Sequence, residues 1–326
     1  MKGLLRKLVV LVCVMGLIVV IGTSSMAEAK QYKVYVVIHG GIADPFWKVF
    51  EKGAMDVAAQ YPDLDVVYTG PTVYNLEQFM THVEAAIAAK PDALAVTLTL
   101  PEAMDQPLRA AMAEGMTVVG VNAPDLREPI EKRIPVATYV GENSYLVGVT
   151  AATELLKKFT PKRGLYANCA PGAKHLNARG RGWVDTLKAK GIPAEQLDVT
   201  VDAVKAAEIT AAYVAAHPDT DAIFLQHLDL IPPTIRRLED DGIKVGRDLM
   251  TVATDISPQV IELIKAGKMM FTLDQQQYLQ GYLGVLFAYL HAKYGFAPPP
   301  EVPTGPGVIT KDELGKLLEL TKTGYK

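Results

Sequence analysis

Short apolar runs alternate with amphipathic segments along most of this chain, and this alternation limits the possible folds more than any other feature. Segments such as Val34–Ile38, Ala93–Leu98 and Ala222–Gln226 are rich in Val, Ile, Leu and Ala, without strict alternation of apolar and polar residues. Strands covered on both faces have this pattern, as in parallel sheets. Segments with helical periodicity, for example Phe46–Gln60 and Ser144–Phe159, lie between them. The sequence therefore predicts an α/β fold with right-handed crossovers between parallel strands.

The number of predicted strands indicates two sheets instead of one. About ten candidate strands are many for a single open sheet and natural for two sheets of five or six strands. A boundary near Thr138–Glu142 divides them evenly. The segment Phe296–Gly307 contains five prolines, which favours an extended crossing or a surface turn over a helix.

The first 29 residues have the pattern of a secretory signal peptide. Lys2, Arg6 and Lys7 form a basic start, residues 8–21 are apolar, and Ala27-Glu28-Ala29 offers the small residues of a cleavage site. The apolar run is shorter than the ~20 residues that a membrane-spanning helix needs, so a signal peptide is favoured over an anchor. We expect a mature chain that begins near Lys30 and works in the periplasm.

Composition and motifs argue against several classes of function. The formal net charge of −3 gives no indication of nucleic-acid binding. Once Cys13 is removed with the signal peptide, Cys169 remains, and a buried structural role is favoured over a nucleophile. The histidines lack metal-ligand spacing on a shared element, and Gly40-Gly41 does not extend to a dinucleotide-binding motif. No catalytic triad or carboxylate pair is recognisable, so we expect neither an enzyme, nor a cofactor, nor a metal.

Residues that directly follow the predicted strands are the expected ligand contacts, because ligands of open α/β sheets bind beyond the carboxyl ends of the strands. A hydroxyl group both donates and accepts, so carboxylate, amide and guanidinium groups can meet neighbouring hydroxyls in pairs. The C–H face of a sugar packs on an aromatic ring. Both kinds of group are present, and the pattern predicts a site for a sugar or polyol. The candidate positions are His39-Gly40-Gly41 with Asp44-Pro45-Phe46-Trp47, Thr99, Asn122-Ala123, Asn168 through Arg179, His227 through Asp229, Thr254-Asp255, and Asp274-Gln275-Gln276.

From about Lys33 to Ile309 the chain resembles the type I periplasmic solute-binding proteins, in the ribose- and galactose-binding branch that is related to LacI-type repressors. The order and spacing of several short motifs carry this resemblance. A repressor is excluded because the predicted signal peptide stands where the helix-turn-helix headpiece would be. The motifs are Asp44-Pro45-Phe46-Trp47, Asn177-Ala178-Arg179-Gly180-Arg181-Gly182-Trp183, His217-Pro218-Asp219 before Ala222-Ile223-Phe224-Leu225-Gln226, Val252-Ala253-Thr254-Asp255, and Thr272-Leu273-Asp274-Gln275.

The resemblance implies two Rossmann-like lobes with parallel sheets, joined by a three-segment hinge. On this basis we expect residues 1–29 to be the signal peptide. The first lobe would comprise residues 30–138 and 274–305, and the second lobe residues 139–273 and 306–326. The chain would cross between the lobes near Thr138–Glu142, near Phe271–Gln275 and around Val302–Gly307.

The resemblance also implies seven ligand contacts. In the family, aromatic rings stack on the ligand where this chain has Phe46 and Trp47, and polar groups contact it at the remaining positions. Ribose binders have Asp-Arg where this chain has Asn122-Ala123, and Asn where it has His227, so ribose itself is disfavoured. The implied contacts are Phe46, Trp47, Asn122, Arg179, His227, Asp255 and Gln275.

Each of these residues also has a plain structural interpretation. Phe46 and Trp47 could belong to the core, and which of them stacks on the ligand stays open. Asp255 could be a turn carboxylate, and His227 a structural histidine. An unpaired buried cation is unfavourable, so Arg179 is expected to contact the ligand or to pair with Asp255.

The function implied by the resemblance is the periplasmic substrate-binding component of an ABC importer. It would bind a small neutral sugar or sugar alcohol between two lobes by hinge closure, act as a monomer and deliver the ligand to the permease subunits at the inner membrane. The alternative is a periplasmic sensor that presents its ligand to a chemoreceptor or histidine kinase. A neighbouring permease gene or receptor gene would distinguish them.

The predicted cleavage site can be tested on exported protein. We expect N-terminal sequencing of the secreted chain to start near Lys30, because the small residues Ala27 and Ala29 stand at the −3 and −1 positions. A chain that still begins at Met1 and stays in the membrane fraction would contradict the signal-peptide interpretation.

Overall fold

A computed structural model describes residues 30–325. The predicted signal peptide, residues 1–29, lies outside the described residues. Within residues 30–325, no helix has the length and apolar character needed to span a bilayer.

The described residues form twelve β-strands and ten α-helices. The strands are β1 (Tyr32–Val37), β2 (Leu64–Thr69), β3 (Ala93–Val96), β4 (Thr117–Asn122), β5 (Tyr139–Gly141), β6 (Gly164–Asn168), β7 (Ala194–Asp198), β8 (Ala222–Leu225), β9 (Met250–Thr254), β10 (Phe271–Asp274), β11 (Glu301–Pro303) and β12 (Gly307–Ile309). The helices are α1 (Pro45–Ala58), α2 (Leu76–Ala88), α3 (Pro101–Ala113), α4 (Ser144–Leu156), α5 (Lys174–Lys188), α6 (Ala203–Ala216), α7 (Ile231–Asp240), α8 (Pro258–Lys265), α9 (Gln277–Tyr294) and α10 (Leu314–Lys322).

The strands form two sheets of six strands each. The first sheet has the order β2-β1-β3-β4-β5-β11, and the second has the order β7-β6-β8-β9-β10-β12. All neighbouring strands are parallel except β10 and β12, which are antiparallel. The same winding therefore occurs twice along the chain, once in each lobe. The predicted fold class, with two parallel α/β lobes, is confirmed.

Both faces of each sheet are covered, which explains the continuous apolar runs of the sequence. In β3, Ala93 and Ala95 face one core of the first lobe, whereas Leu94 and Val96 face the other. The residues of β8 divide in the same way between two cores of the second lobe. Because neither face meets water, neither face needs polar residues.

Three short segments connect the two sheets, and we call them the crossing segments. They are residues 142–143 after β5, residues 275–276 after β10, and residues 304–306 between β11 and β12. After the second crossing, α9 packs on α1 and β4 of the first lobe.

Two sequence assignments need correction. Tyr139–Gly141 was assigned to the second lobe, but it pairs with β4 in the first sheet, where Val121 lies opposite Val140. Burial of Tyr139 and Val140 at this edge accounts for the pairing. The apolar pattern of Leu197–Val201 predicts a strand at those residues, whereas β7 occupies Ala194–Asp198, where each residue lies opposite one residue of β6.

Helices α4 and α5 cross in direct backbone contact at two glycines. A Cβ atom at Gly182 would lie 2.1 Å from the carbonyl oxygen of Tyr145, and one at Gly148 would lie 1.9 Å from that of Arg179. No side chain fits there without moving one helix. This crossing fixes the position of α5, the helix that carries Arg179.

We expect Gly182→Ala to lower the free energy of unfolding by roughly 1–3 kcal/mol, because the methyl group would push α4 and α5 apart. The matched control is Gly315→Ala in α10, where a Cβ atom would meet nothing within 4 Å. That substitution should be neutral or stabilise by up to about 1 kcal/mol. Urea unfolding of the purified variants measures both. Equal stability of the two variants would contradict the close crossing.

Candidate functional site

A cavity of about 650 Å³ lies where the carboxyl ends of the two sheets face each other. Its walls come from the segments after β1, β2 and β4 in the first lobe and after β6 to β10 in the second. The structure brings all the implied contacts together here. The cavity is lined by Phe46, Trp47, Asn122, Arg179, His227, Asp255 and Gln275.

Three of these residues have left-handed backbone conformations at the ends of β4, β8 and β9. The φ angles are 60° at Asn122, 66° at His227 and 75° at Asp255. Such a conformation is uncommon for residues other than glycine, and it persists only where surrounding contacts hold it. At Asp255 the backbone N–H donates to Leu273 O at 2.7 Å, and the carbonyl oxygen accepts from Thr272 Oγ1 at 2.6 Å. The end of β9 is therefore held by the neighbouring strand β10.

Arg179 is buried and makes an ion pair with Glu142, which lies in the first crossing segment. Its guanidinium group also donates to Gln226 Oε1 and, at 3.3 Å, to Thr254 Oγ1. Burial alone would lower the pKa of Arg179, but the negative charge of Glu142 raises it above its ordinary value. The cation is thus neutralised inside the protein.

The expected pairing of Arg179 with Asp255 is wrong, since the ion pair is made with Glu142. Glu142 follows β5 at the first crossing, which places its carboxylate beside α5. Asp255 instead accepts a hydrogen bond from Gln275 Nε2 at 2.7 Å. Burial raises the pKa of Asp255 to about 8, although the charge of Arg179 opposes this rise.

A second network joins Asn122 to the crossing segments. Asn122 Nδ2 donates to Gln280 Oε1 at 2.9 Å, and Gln280 Nε2 donates to Gln275 O and to Thr304 Oγ1, each at 3.0 Å. Gln280 is fully buried in α9. The sequence reasoning did not single out Gln280 or Glu142. Gln280 could have been noticed as a polar residue among the apolar residues in the first half of α9. Glu142 could have been noticed as the last residue of the predicted boundary Thr138–Glu142.

The two aromatic residues are placed by the start of α1. Asp44 is the N-cap, and its Oδ1 accepts from the backbone N–H of Phe46 at 2.9 Å. The rings of Phe46 and Trp47 lie 4.8 Å apart at 70°, and both belong to the core as well as to the cavity wall. Space for Trp47 depends on Gly40, where a Cβ atom would lie 1.7 Å from Trp47 Nε1. Which ring would stack on a ligand stays a prediction.

Two buried histidines meet across the cavity. The rings of His39, from the first lobe, and His175, from the second, lie 5.6 Å apart. Burial lowers the pKa of His39 to about 4. Burial, together with His39 and Arg179, holds the pKa of His175 well below its ordinary value. Both imidazoles are therefore neutral at pH 7. Both positions lie in the post-strand segments of the sequence analysis but were not selected.

His227 contacts the first lobe. Its Nε2 lies 3.6 Å from Asp44 Oδ2, which is a contact between the lobes. With Asp229 these residues form a group whose possible ligand atoms all lie within 4.8 Å of one another. At 3.6 Å the contact between His227 and Asp44 is too long for a hydrogen bond and is electrostatic in nature. The absence of a metal ion stays a prediction.

Comparison with known proteins gives relatives over most of the chain. A sequence profile described as periplasmic binding protein domain matches residues 34–295. The chain is 26% identical over 316 residues to the Xylose/arabinose-binding protein XylF of Sulfolobus acidocaldarius, covering 92% of this chain and 77% of that protein.

Solved structures of similar proteins have the same fold. A solute-binding protein of an ABC transporter from Agrobacterium vitis, bound with alpha-D-tagatopyranose, is 25% identical with a TM-score of 0.78. The match covers 87% of this chain and 96% of that chain. A carbohydrate transporter protein from Acidothermus cellulolyticus, in complex with myo-inositol, has a TM-score of 0.80 at 23% identity and covers 91% and 100% of the two chains. Its lower identity supports the fold alone.

These relatives bind solutes and are not enzymes. Because the profile match spans both lobes and the relatives share the fold over most of their length, this chain belongs to the periplasmic binding proteins, among relatives that bind sugars for ABC transporters.

Proposed function

We propose that the chain is the periplasmic substrate-binding component of an ABC importer and binds a neutral sugar or sugar alcohol between its lobes. The observation that carries this proposal is a cavity lined from both lobes, with Phe46, Trp47 and Asn122 on one side and Arg179, His227 and Asp255 on the other. The names of the relatives support the ligand class, since they include binders of xylose, arabinose and tagatose.

The groups around the cavity suit hydroxyl groups. Arg179 can only donate, whereas Asn122 and Gln275 offer both donors and acceptors, so a row of hydroxyls can be matched in pairs. Arg179 Nε is buried and has no hydrogen-bond partner among the described residues. The aromatic faces of Phe46 and Trp47 suit the apolar face of a sugar.

Charge balance favours a neutral ligand. Glu142 already compensates the buried cation of Arg179. An anionic ligand would therefore bring an uncompensated charge into a buried site, which is strongly unfavourable. A phosphorylated or carboxylated sugar does not fit this balance.

Closure of the lobes is the proposed mechanism, and periplasmic binding proteins are the standard example of it. The short crossing segments permit a bend but resist independent movement of the lobes. Lys174 on α5 forms an ion pair with Glu102 on α3, so the two lobes also contact each other directly. A ligand that touches both lobes adds contacts only in the closed state and shifts the population toward it. The permease would recognise that closed shape.

The binding proposal can be tested by calorimetry with D-xylose, L-arabinose, D-tagatose and myo-inositol. We expect one of these, or a close relative, to bind one molecule per chain. Arg179→Lys keeps the charge beside Glu142 but loses the planar fork, and should weaken binding at least about tenfold. The matched control is Arg181→Lys on the exposed face of the same helix, which should stay within about twofold. Equal affinities of both variants would contradict a ligand contact at Arg179.

Closure predicts a change of shape on binding. We expect a bound sugar to reduce the radius of gyration in small-angle X-ray scattering, because the lobes approach each other. A sugar that calorimetry shows not to bind serves as the control. Identical scattering curves with and without saturating ligand would contradict the hinge mechanism and favour a rigid pocket.

A further inference from the structure

The residues that line the cavity change from polar to apolar along the order of the strands in each sheet. Near the crossing segments it is polar, with Asn122 after β4 and Asp255 after β9. At the far side it is apolar, with Val73 and Tyr74 after the outer strand β2 and Val201 after the outer strand β7. Both sheets have the same gradient, so the cavity has a polar end and an apolar end, with the rings of His39 and His175 5.6 Å apart between them.

The two ends are too far apart for one sugar ring. Three strand spacings separate β4 from β2 and β9 from β7, or roughly 14 Å at ~4.8 Å per spacing. A pyranose with its hydroxyls spans about two such spacings. The cavity volume of about 650 Å³ would hold roughly twenty water-sized groups at ~30 Å³ each. A hexose has about a dozen non-hydrogen atoms, so room remains beyond it.

The apolar end presents uncovered side chains to the cavity. Val73 is 67% exposed and Val201 is 46% exposed. Ala173 and Cys169 also line the cavity, and burial raises the pKa of Cys169 to about 11, so its thiol is uncharged at pH 7. Tyr74 of the first lobe packs against the same apolar group of the second lobe. Apolar surface left in water is unfavourable, so an apolar occupant would be stabilised here.

We propose that the ligand is a glycoside, with its sugar among Asn122, Arg179 and Asp255 and an apolar alkyl or aromatic aglycone between Val73 and Val201. This inference rests on the proposed function, because it assigns the second half of the same cavity. The aglycone would contact both lobes at the apolar end, as the sugar would contact both lobes near the crossing segments.

The test compares methyl and phenyl glycosides of D-xylose and L-arabinose, in both anomeric forms, with the free sugars by calorimetry on the mature protein. Methyl and phenyl glycosides both lack the anomeric hydroxyl. The ratio of their affinities therefore isolates the contribution of the aromatic ring. We expect at least one phenyl glycoside to bind about tenfold more tightly than its methyl counterpart, which corresponds to about 1.4 kcal/mol.

Variants at the apolar end test whether Val73 and Val201 cause the tighter binding of phenyl glycosides. Val73→Ser and Val201→Ser should reduce the phenyl advantage to below about threefold and leave the affinity for free sugar within about twofold. The matched control is Val204→Ser at the start of α6, because Val204 is 71% exposed but does not line the cavity. Val204→Ser should change neither the affinity for free sugar nor the affinity for phenyl glycosides.

The outcomes separate the two proposals. Binding of free sugars together with weaker binding of every phenyl glycoside overturns the inference and leaves the proposed function intact. An unchanged phenyl advantage in both Val73→Ser and Val201→Ser also overturns it. If none of the free sugars or glycosides binds, the proposed function is contradicted and the inference falls with it.

Discussion

The buried ion pair of Arg179 and Glu142 is the interaction on which the arrangement of the site depends. It joins the first crossing segment to α5, and Glu142 also accepts a hydrogen bond from Ser144 Oγ at 3.0 Å, at the start of α4. Removing one partner of such a pair typically destabilises a protein by about 3–5 kcal/mol, because the other charge stays buried. The pair therefore holds the guanidinium group at the cavity and the crossing segment beside α5 at the same time.

The fold brings the ion pair, the crossing segments and the cavity together because both lobes have the same order of strands. Each lobe ends its parallel strands at the cavity, and the crossing segments leave the sheets beside it. Polar side chains that fix these segments are therefore also close to the ligand site. Gln280 illustrates this, since one amide contacts Asn122 of the cavity wall and Thr304 of the third crossing segment. The cavity wall and the crossing segments therefore share hydrogen bonds.

Much of the site could be predicted from local sequence, because position after a strand is a local property. Asn122 and Asp255 follow recognisable apolar runs, and the rule that ligands bind at carboxyl ends places both at the cavity. Phe46 and Trp47 follow a helix N-cap that is equally visible in the sequence.

Contacts between residues that are distant in the sequence could not be predicted in the same way. The pairing of Arg179 with Glu142, across 37 residues, depends on how α5 crosses α4 and on where the first sheet ends. The sheet boundary was misplaced for the same reason, since the three residues of β5 are assigned by pairing with β4 and β11 and not by their own composition. Neither the left-handed strand ends nor the contact between His39 and His175 has a signature in a single sequence.

The raised pKa of Asp255 has a consequence for the kind of partner that a sugar meets. A carboxyl group with a pKa of about 8 is mostly protonated at pH 7, so it carries an O–H donor beside a carbonyl acceptor. Gln275 already donates to one of its oxygens. Asp255 thus has the same dual character as an alcohol, and the proposed sugar would meet a group that resembles another hydroxyl instead of a fixed charge.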